Sequence, residues 1–179
     1  MRNLVKITAI ISICFLASCA GNNMEWAKIT SNEGGYIIQM PSPAVKKDKK
    51  DIFWKGVTHF TSWKPSAFAI DKFKLFEISY TDCPPSVSTD SLMLNVMLDS
   101  AIMTRKKDFT DAEDIPTQNI ELNGFQGRAF FFDGGGNTLV TVKECIANNR
   151  LYDLTVISKK NYSTNNEIST FFNSFQVFR

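Results

Sequence analysis

The sequence predicts an α+β fold, a central antiparallel β-sheet with helices packed on it. Three observations carry that expectation. Short stretches alternate apolar and polar residues, tight turn signals such as Asn123-Gly124 and Asn148-Asn149 separate them, and two stretches carry apolar side chains at helical spacing. Residues 26–179 have the size of one domain, and no internal repeat divides them.

The chain opens with Met1-Arg2-Asn3 and an apolar run from Ile7 that ends in Leu16-Ala17-Ser18-Cys19, followed by Ala20-Gly21-Asn22-Asn23. A short basic start, an apolar stretch, small residues and then a cysteine are the parts of a bacterial lipoprotein signal. The run is too short for a membrane-crossing helix, which needs roughly 20 residues. The expectation is therefore a signal peptide over 1–18, cleavage before Cys19, acylation of that cysteine by palmitate-type chains, and a tether over 19–25. Each buried methylene of such a chain adds about 0.8 kcal/mol to membrane binding. The expected location is the cell envelope, on the outer membrane facing the periplasm, with the body within roughly 20 to 25 Å of the bilayer.

Removing the leader changes the charge. The net +2 comes from 20 basic and 18 acidic residues, and Arg2 and Lys6 account for the whole excess. The mature chain is neutral, which argues against nucleic-acid binding, since that needs a basic face. The 15 Phe supply a sizeable core. Of four cysteines, Cys14 leaves with the signal and Cys19 takes the lipid; Cys83 and Cys145 remain, either as a candidate disulfide in an oxidising compartment or as two buried free thiols.

Trp26 to Ile29 and Tyr36 to Met40 are expected to pair across Gly34-Gly35. Lys46-Lys47-Asp48-Lys49-Lys50 reads as an exposed charged loop; contact with anionic headgroups, with Trp54 at the interface, is its sharper reading. Gly56 to Trp63 and Phe68 to Thr81 alternate as strands, the second with Phe76, Ile78 and Tyr80 on one face and Phe73, Leu75 and Glu77 on the other. Residues 89–107 form the clearest helix, capped by Ser88 or Thr89, with Asp90 near its positive end and Arg105-Lys106-Lys107 near its negative end. Met93, Leu94, Met97, Leu98, Ala101 and Ile102 make its broad apolar face. Leu92, Val96 and Met103 fall outside that face, so with Trp54 they are the candidate partner or ligand surface. Thr117 to Leu122, Phe125 to Phe132, Thr138 to Ala147 and Leu151 to Ser158 follow as an antiparallel meander. Thr164-Asn165-Asn166-Glu167 caps a short helix with Ile168, Phe171, Phe172 and Phe175 inward, and Ser174 to Phe178 ends the chain as a strand.

No catalytic constellation emerges. His59 is the single histidine, on an alternating strand, and a zinc site from His59, Cys83 and Cys145 lacks close-spaced ligand pairs. The same histidine is the only imidazole available to activate a cysteine nucleophile. Asp108, Asp111, Glu113 and Asp114 lack the turn glycine of a calcium loop, and Gly134-Gly135-Gly136 is a hairpin turn rather than a phosphate cradle, since strands flank it. The expectation is no enzyme, no cofactor and no metal.

Ile38-Gln39-Met40-Pro41, Tyr80-Thr81-Asp82, Ile120-Glu121-Leu122-Asn123-Gly124-Phe125-Gln126-Gly127, Asn149-Arg150-Leu151-Tyr152-Asp153-Leu154 and Phe171-Phe172-Asn173-Ser174-Phe175 together resemble the PsbP-like superfamily. In that family, bacterial lipoproteins share a fold with a photosystem II accessory protein and Ran-binding relatives. The resemblance spans residues 24–179. It implies an α/β/α sandwich with helices on both faces of the sheet, and an accessory or binding role rather than catalysis. It carries over no functional residue, because the matching positions are strand ends, turns and core aromatics. The resulting expectation is a lipid-anchored, non-catalytic protein that binds or stabilises another envelope component. The alternative is a carrier or sensor of a small apolar ligand held between helix 89–107 and the sheet.

Overall fold

A computed structural model describes residues 24–50, 57–65, 72–88, 90–107, 116–162 and 165–178. Its strands are β1 (Trp26–Ser31), β2 (Tyr36–Pro41), β3 (Val45–Lys50), β4 (Val57–Trp63), β5 (Phe73–Asp82), β6 (Thr117–Leu122), β7 (Phe125–Asp133), β8 (Thr138–Ala147), β9 (Arg150–Lys159) and β10 (Gln176–Val177). Its helices are α1 (Ser91–Lys107) and α2 (Asn166–Asn173).

Seven strands form an antiparallel sheet in the order β3-β4-β5-β9-β8-β7-β6, and β1-β2-β10 form a second, smaller sheet. Two meanders, β3-β4-β5 and β6-β7-β8-β9, are joined by the β5–β9 pair; α1 lies in the connection from β5 to β6. The turns follow from residues that tolerate left-handed backbone. Asn123 and Gly124 have φ of 58° and 84°, and Asn148 and Asn149 have 53° and 58°, as two-residue hairpins require.

The main core lies between the two sheets. Tyr36, Ile38 and Met40 of β2, Val177 of β10, and Ile168, Phe171 and Phe172 of α2 with Phe175 pack against Trp63, Phe76, Ile78, Tyr80, Cys145, Tyr152, Leu154 and Val156. All four apolar residues expected to face inward around α2 are buried. Hydroxyls tie the sheets together: Tyr36 Oη donates to Thr61 Oγ1 at 2.9 Å, and Tyr152 Oη donates to the Gly34 carbonyl at 2.8 Å.

Several expectations need correction. The α/β/α sandwich is not the architecture: among the described residues strands predominate, in two sheets, and the two α-helices are short, so the fold is β-rich. One face of the large sheet is covered mainly by the second sheet, whose strands were legible but whose separation from the meander was not. The lysine-rich segment 46–50 is strand rather than loop; β3 pairs with β4 from Val45↔Ser62 to Lys50↔Val57. Lysine is tolerated there because β3 ends the sheet, where charge blocks further pairing. In β5 the register shifts between Phe73 and Leu75, and Phe73 joins Phe76, Ile78 and Tyr80 in the core. The α1 cap is Asp90, whose Oδ1 accepts from the backbone N–H groups of Leu92 and Met93 at 2.8 and 3.2 Å. At α2 it is Asn165, accepting from the Glu167 N–H at 3.1 Å.

Candidate functional site: a charged row beneath α1

Strand alternation and register place a row of polar side chains on the face of the large sheet that α1 covers. Ser79 pairs with Asp153, Asp153 with Glu144, Glu144 with Arg128, and Arg128 with Asn119, across β5, β9, β8, β7 and β6. Apolar pairs flank it. Leu151 and Ile146 lie to one side, clustered with Cys83, Val87, Met97 and Leu98; Val142 and Phe130 lie to the other, clustered with Ile102, Phe132 and Val140. A helix with three buried apolar residues thus seats over a charged centre.

α1 supplies most of the counter-groups. Arg105 Nη2 donates to Asp153 Oδ1 at 2.9 Å and stands 3.9 Å from Glu77 Oε1. Thr155 Oγ1 donates to the same Asp153 oxygen at 2.7 Å. Arg128, buried on β7, donates through Nη2 to Asn95 Oδ1 at 2.7 Å and places Nε 3.5 Å from Asp99 Oδ1. Gly127 is required beside it: a Cβ there would meet the Glu144 carbonyl oxygen at 2.1 Å.

Glu144 differs from its neighbours. It is 0% exposed, and neither carboxyl oxygen has a hydrogen-bond partner among the described residues. Burial, reinforced by the charge of Asp153, pushes its carboxyl up to about 9 despite Arg105 and Arg128, so it is neutral at pH 7. Burial also raises Glu77, with Arg105 opposing. The chemistry available is proton holding and ion pairing in a partly dehydrated space. Among the described residues, no group of three or more His, Cys, Asp and Glu is arranged to hold a metal ion.

The sequence-derived candidates do not meet in this row. Cys19 and Trp54 lie outside the described residues, as do residues 108–115 with the acidic connection. Leu92, Val96 and Met103 are exposed by 72%, 50% and 64%, on the side of α1 away from Met97, Leu98 and Ile102; Met93 is exposed as well. Cys83 and Cys145 are free thiols rather than a bridge. Cys145 belongs to the core between the sheets and Cys83 to the cluster under α1, so the large sheet separates them. His59 is tied to the edge strand, its Nδ1 2.8 Å from Asp48 Oδ1 and its ring stacked on Tyr80 at 4.6 Å, on the face opposite Cys83. The Gly134–Gly136 run is the β7–β8 turn, closed by the Gly135 N–H donating to Asp133 Oδ1 at 2.9 Å.

The charged row itself was missed, although a signal was present. In β8, Glu144 occupies the same alternate positions as Val140, Val142 and Ile146, and the two-residue Asn148-Asn149 turn fixes Asp153 opposite it.

The two-sheet architecture, the β5–β9 junction and α1 between the meanders define a PsbP-like fold. The solved structure that carries the comparison is the solution structure of cyanobacterial PsbP (CyanoP) from Synechocystis sp. PCC 6803, with a TM-score of 0.57 and 14% sequence identity. The alignment covers 91% of this chain and 99% of that one. No protein-family model matches the chain, and a search of curated proteins gives no match. Among the described residues, no helix is long and apolar enough to cross a membrane.

Proposed function

We propose that the chain is a lipid-anchored, non-catalytic envelope protein that binds or stabilises another envelope component through the outward face of α1. The observation that carries the reading is the exposure of Leu92, Val96 and Met103 together on one side of a helix whose opposite side is buried. Apolar residues grouped this way favour contact with a partner over water. The lipoprotein signal ending at Cys19 supports attachment to an envelope membrane, for which the periplasmic side of the outer membrane is proposed, and the resemblance of the sequence motifs to the PsbP-like superfamily supports an accessory role. The apolar-carrier reading is weaker, because the centre of the α1–sheet interface is a charged row and Met93 lies outward.

The test is site-specific photocrosslinking in intact membranes. A photoreactive residue at Val96 is expected to give a discrete adduct, while one at Phe131, which is exposed on the opposite sheet face, is not. Equal labelling at both positions, or none at Val96, contradicts the reading. Incorporation of labelled palmitate, lost in Cys19→Ala, tests the anchor separately.

A further inference from the structure

The groups facing Glu144 come from every element around it. Asp153 faces it from β9 and Arg128 from β7; Glu77 of β5 stands beside Asp153 across Arg105; and α1 contributes Asn95, Asp99 and Arg105. Its neighbours along the same strand face, Val142 and Ile146, offer nothing polar. Two guanidinium groups already meet three carboxylates here, and a fourth negative charge would stand directly opposite Asp153. A carboxyl so enclosed is favourable only as the neutral acid.

We propose that α1 is a proton-gated latch, seated on the sheet while Glu144 carries its proton and lifted from the sheet when that proton is lost. In the lifted state water reaches the carboxyl, which ionises as an ordinary Glu does, so each opening near neutral pH releases one proton to solvent. The opening constant then rises about tenfold per pH unit between the ionisation of the open and seated forms. Most of the stability of a helix in a protein comes from packing of its apolar side, so lifting removes that support from α1 and also dismantles the apolar face it presents. Acidification tightens the presenting state, and alkalinity releases it. The consequence for partner binding rests on the reading of α1 as the partner surface; the latch does not.

The two free thiols report on the two faces. Cys83 lies under α1 with Met97 and Leu98, and Cys145 lies between the sheets. The full-length chain is treated with N-ethylmaleimide from pH 6 to pH 8, each rate is normalised to a model thiol at the same pH, and peptide mass mapping assigns the label. Cys83 is expected to react faster than Cys145, its normalised rate rising about a hundredfold over the two pH units and staying flat in Glu144→Gln. Equal rates at the two cysteines, a flat Cys83 rate in the unmodified protein, or a rise that survives Glu144→Gln overturns the latch. Should Glu144→Gln not fold, amide exchange in the unmodified protein decides: opening of α1 independent of pH, after correction for base catalysis, overturns it equally. The Val96 crosslink is expected to weaken from pH 6 to pH 8. A constant yield beside a pH-dependent Cys83 overturns the link to partner binding and leaves the surface itself standing.

Discussion

Glu144 and Asp153 stand directly opposite each other across the β8–β9 ladder on the face under α1, and of the two only Asp153 has hydrogen-bond partners among the described residues. Two carboxyl groups in that relation cannot both carry charge without penalty, and the one with fewer partners keeps its proton.

Stability is expected to fall as pH rises. The Glu144 carboxyl ionises near its ordinary 4.5 in the unfolded chain and near 9 in the folded one, so the folded state holds the extra proton between those values. Its stabilising contribution is complete below the lower value and is lost progressively up to the higher, at up to about 1.4 kcal/mol per pH unit. Urea unfolding at pH 5, 6, 7 and 8 measures the slope. Glu144→Gln, which keeps shape without charge, is expected to be the more stable form at pH 8 and to show a much shallower slope.

Arg105 holds two partly buried carboxylates at once, and its loss leaves Asp153 with only the Thr155 hydroxyl and Glu77 with only the charge of Lys64 to offset burial. Arg105→Met is expected to cost about 3 kcal/mol. Adding Asp153→Asn should recover much of that loss, because the stranded charge disappears with its partner. A double-mutant cycle by chemical denaturation gives the coupling; a coupling near zero contradicts the geometry.

The two faces of α1 should respond in opposite ways to truncation. Leu98→Ala, in the interior, is expected to cost about 2–5 kcal/mol. Val96→Ser and Met103→Ser, on the outer side, should stay within about 0.5 kcal/mol while reducing crosslinking at the outer face. Thermal unfolding separates the two classes, and large losses from the outer pair would mean that this face is packed.

Cys83 and Cys145 should remain reduced even under oxidising conditions. A sheet lies between them, and burial raises their thiols to about 11 and about 12 respectively. Non-reducing peptide mapping is expected to find two free thiols, and reductant should leave the unfolding midpoint unchanged. A Cys83–Cys145 linked peptide would show the arrangement of the strands to be wrong.

Much of the fold was legible because local chemistry decides it. The Asn123-Gly124 and Asn148-Asn149 turns set their hairpins, and Ile168, Phe171, Phe172 and Phe175 declared the inner side of α2. What stayed hidden depends on distant neighbours. Lys46 to Lys50 have a loop-like composition and become strand only because β4 offers an edge. The second sheet depends on β10 returning to β2 from the far end of the chain. The outer residues of α1 were legible from helical spacing, since Leu92, Val96 and Met103 recur on one side. Glu144 was legible only in part: alternation puts it on the face of Val140, Val142 and Ile146, but the helix that covers that face and the groups around the carboxyl come from distant parts of the chain.

The ends of the large sheet bear on the proposal that the chain is held to a membrane by lipid. Proteins confined to a surface meet far more often than they do in bulk, and an open sheet ends in edge strands along which copies can zip together. On one margin, β3, Lys46, Lys47 and Lys49 are exposed beside Val45 and Asp48, and the net positive charge of the strand opposes the approach of a second copy. The other, β6, presents Thr117, Gln118, Asn119 and Glu121, with Ile120 and Leu122 only partly exposed, so it gives an approaching strand little apolar surface to bury. Crowding in two dimensions therefore meets charge at one end of the sheet and mainly polar side chains at the other, which favours the outer face of α1 as the proposed surface for a partner.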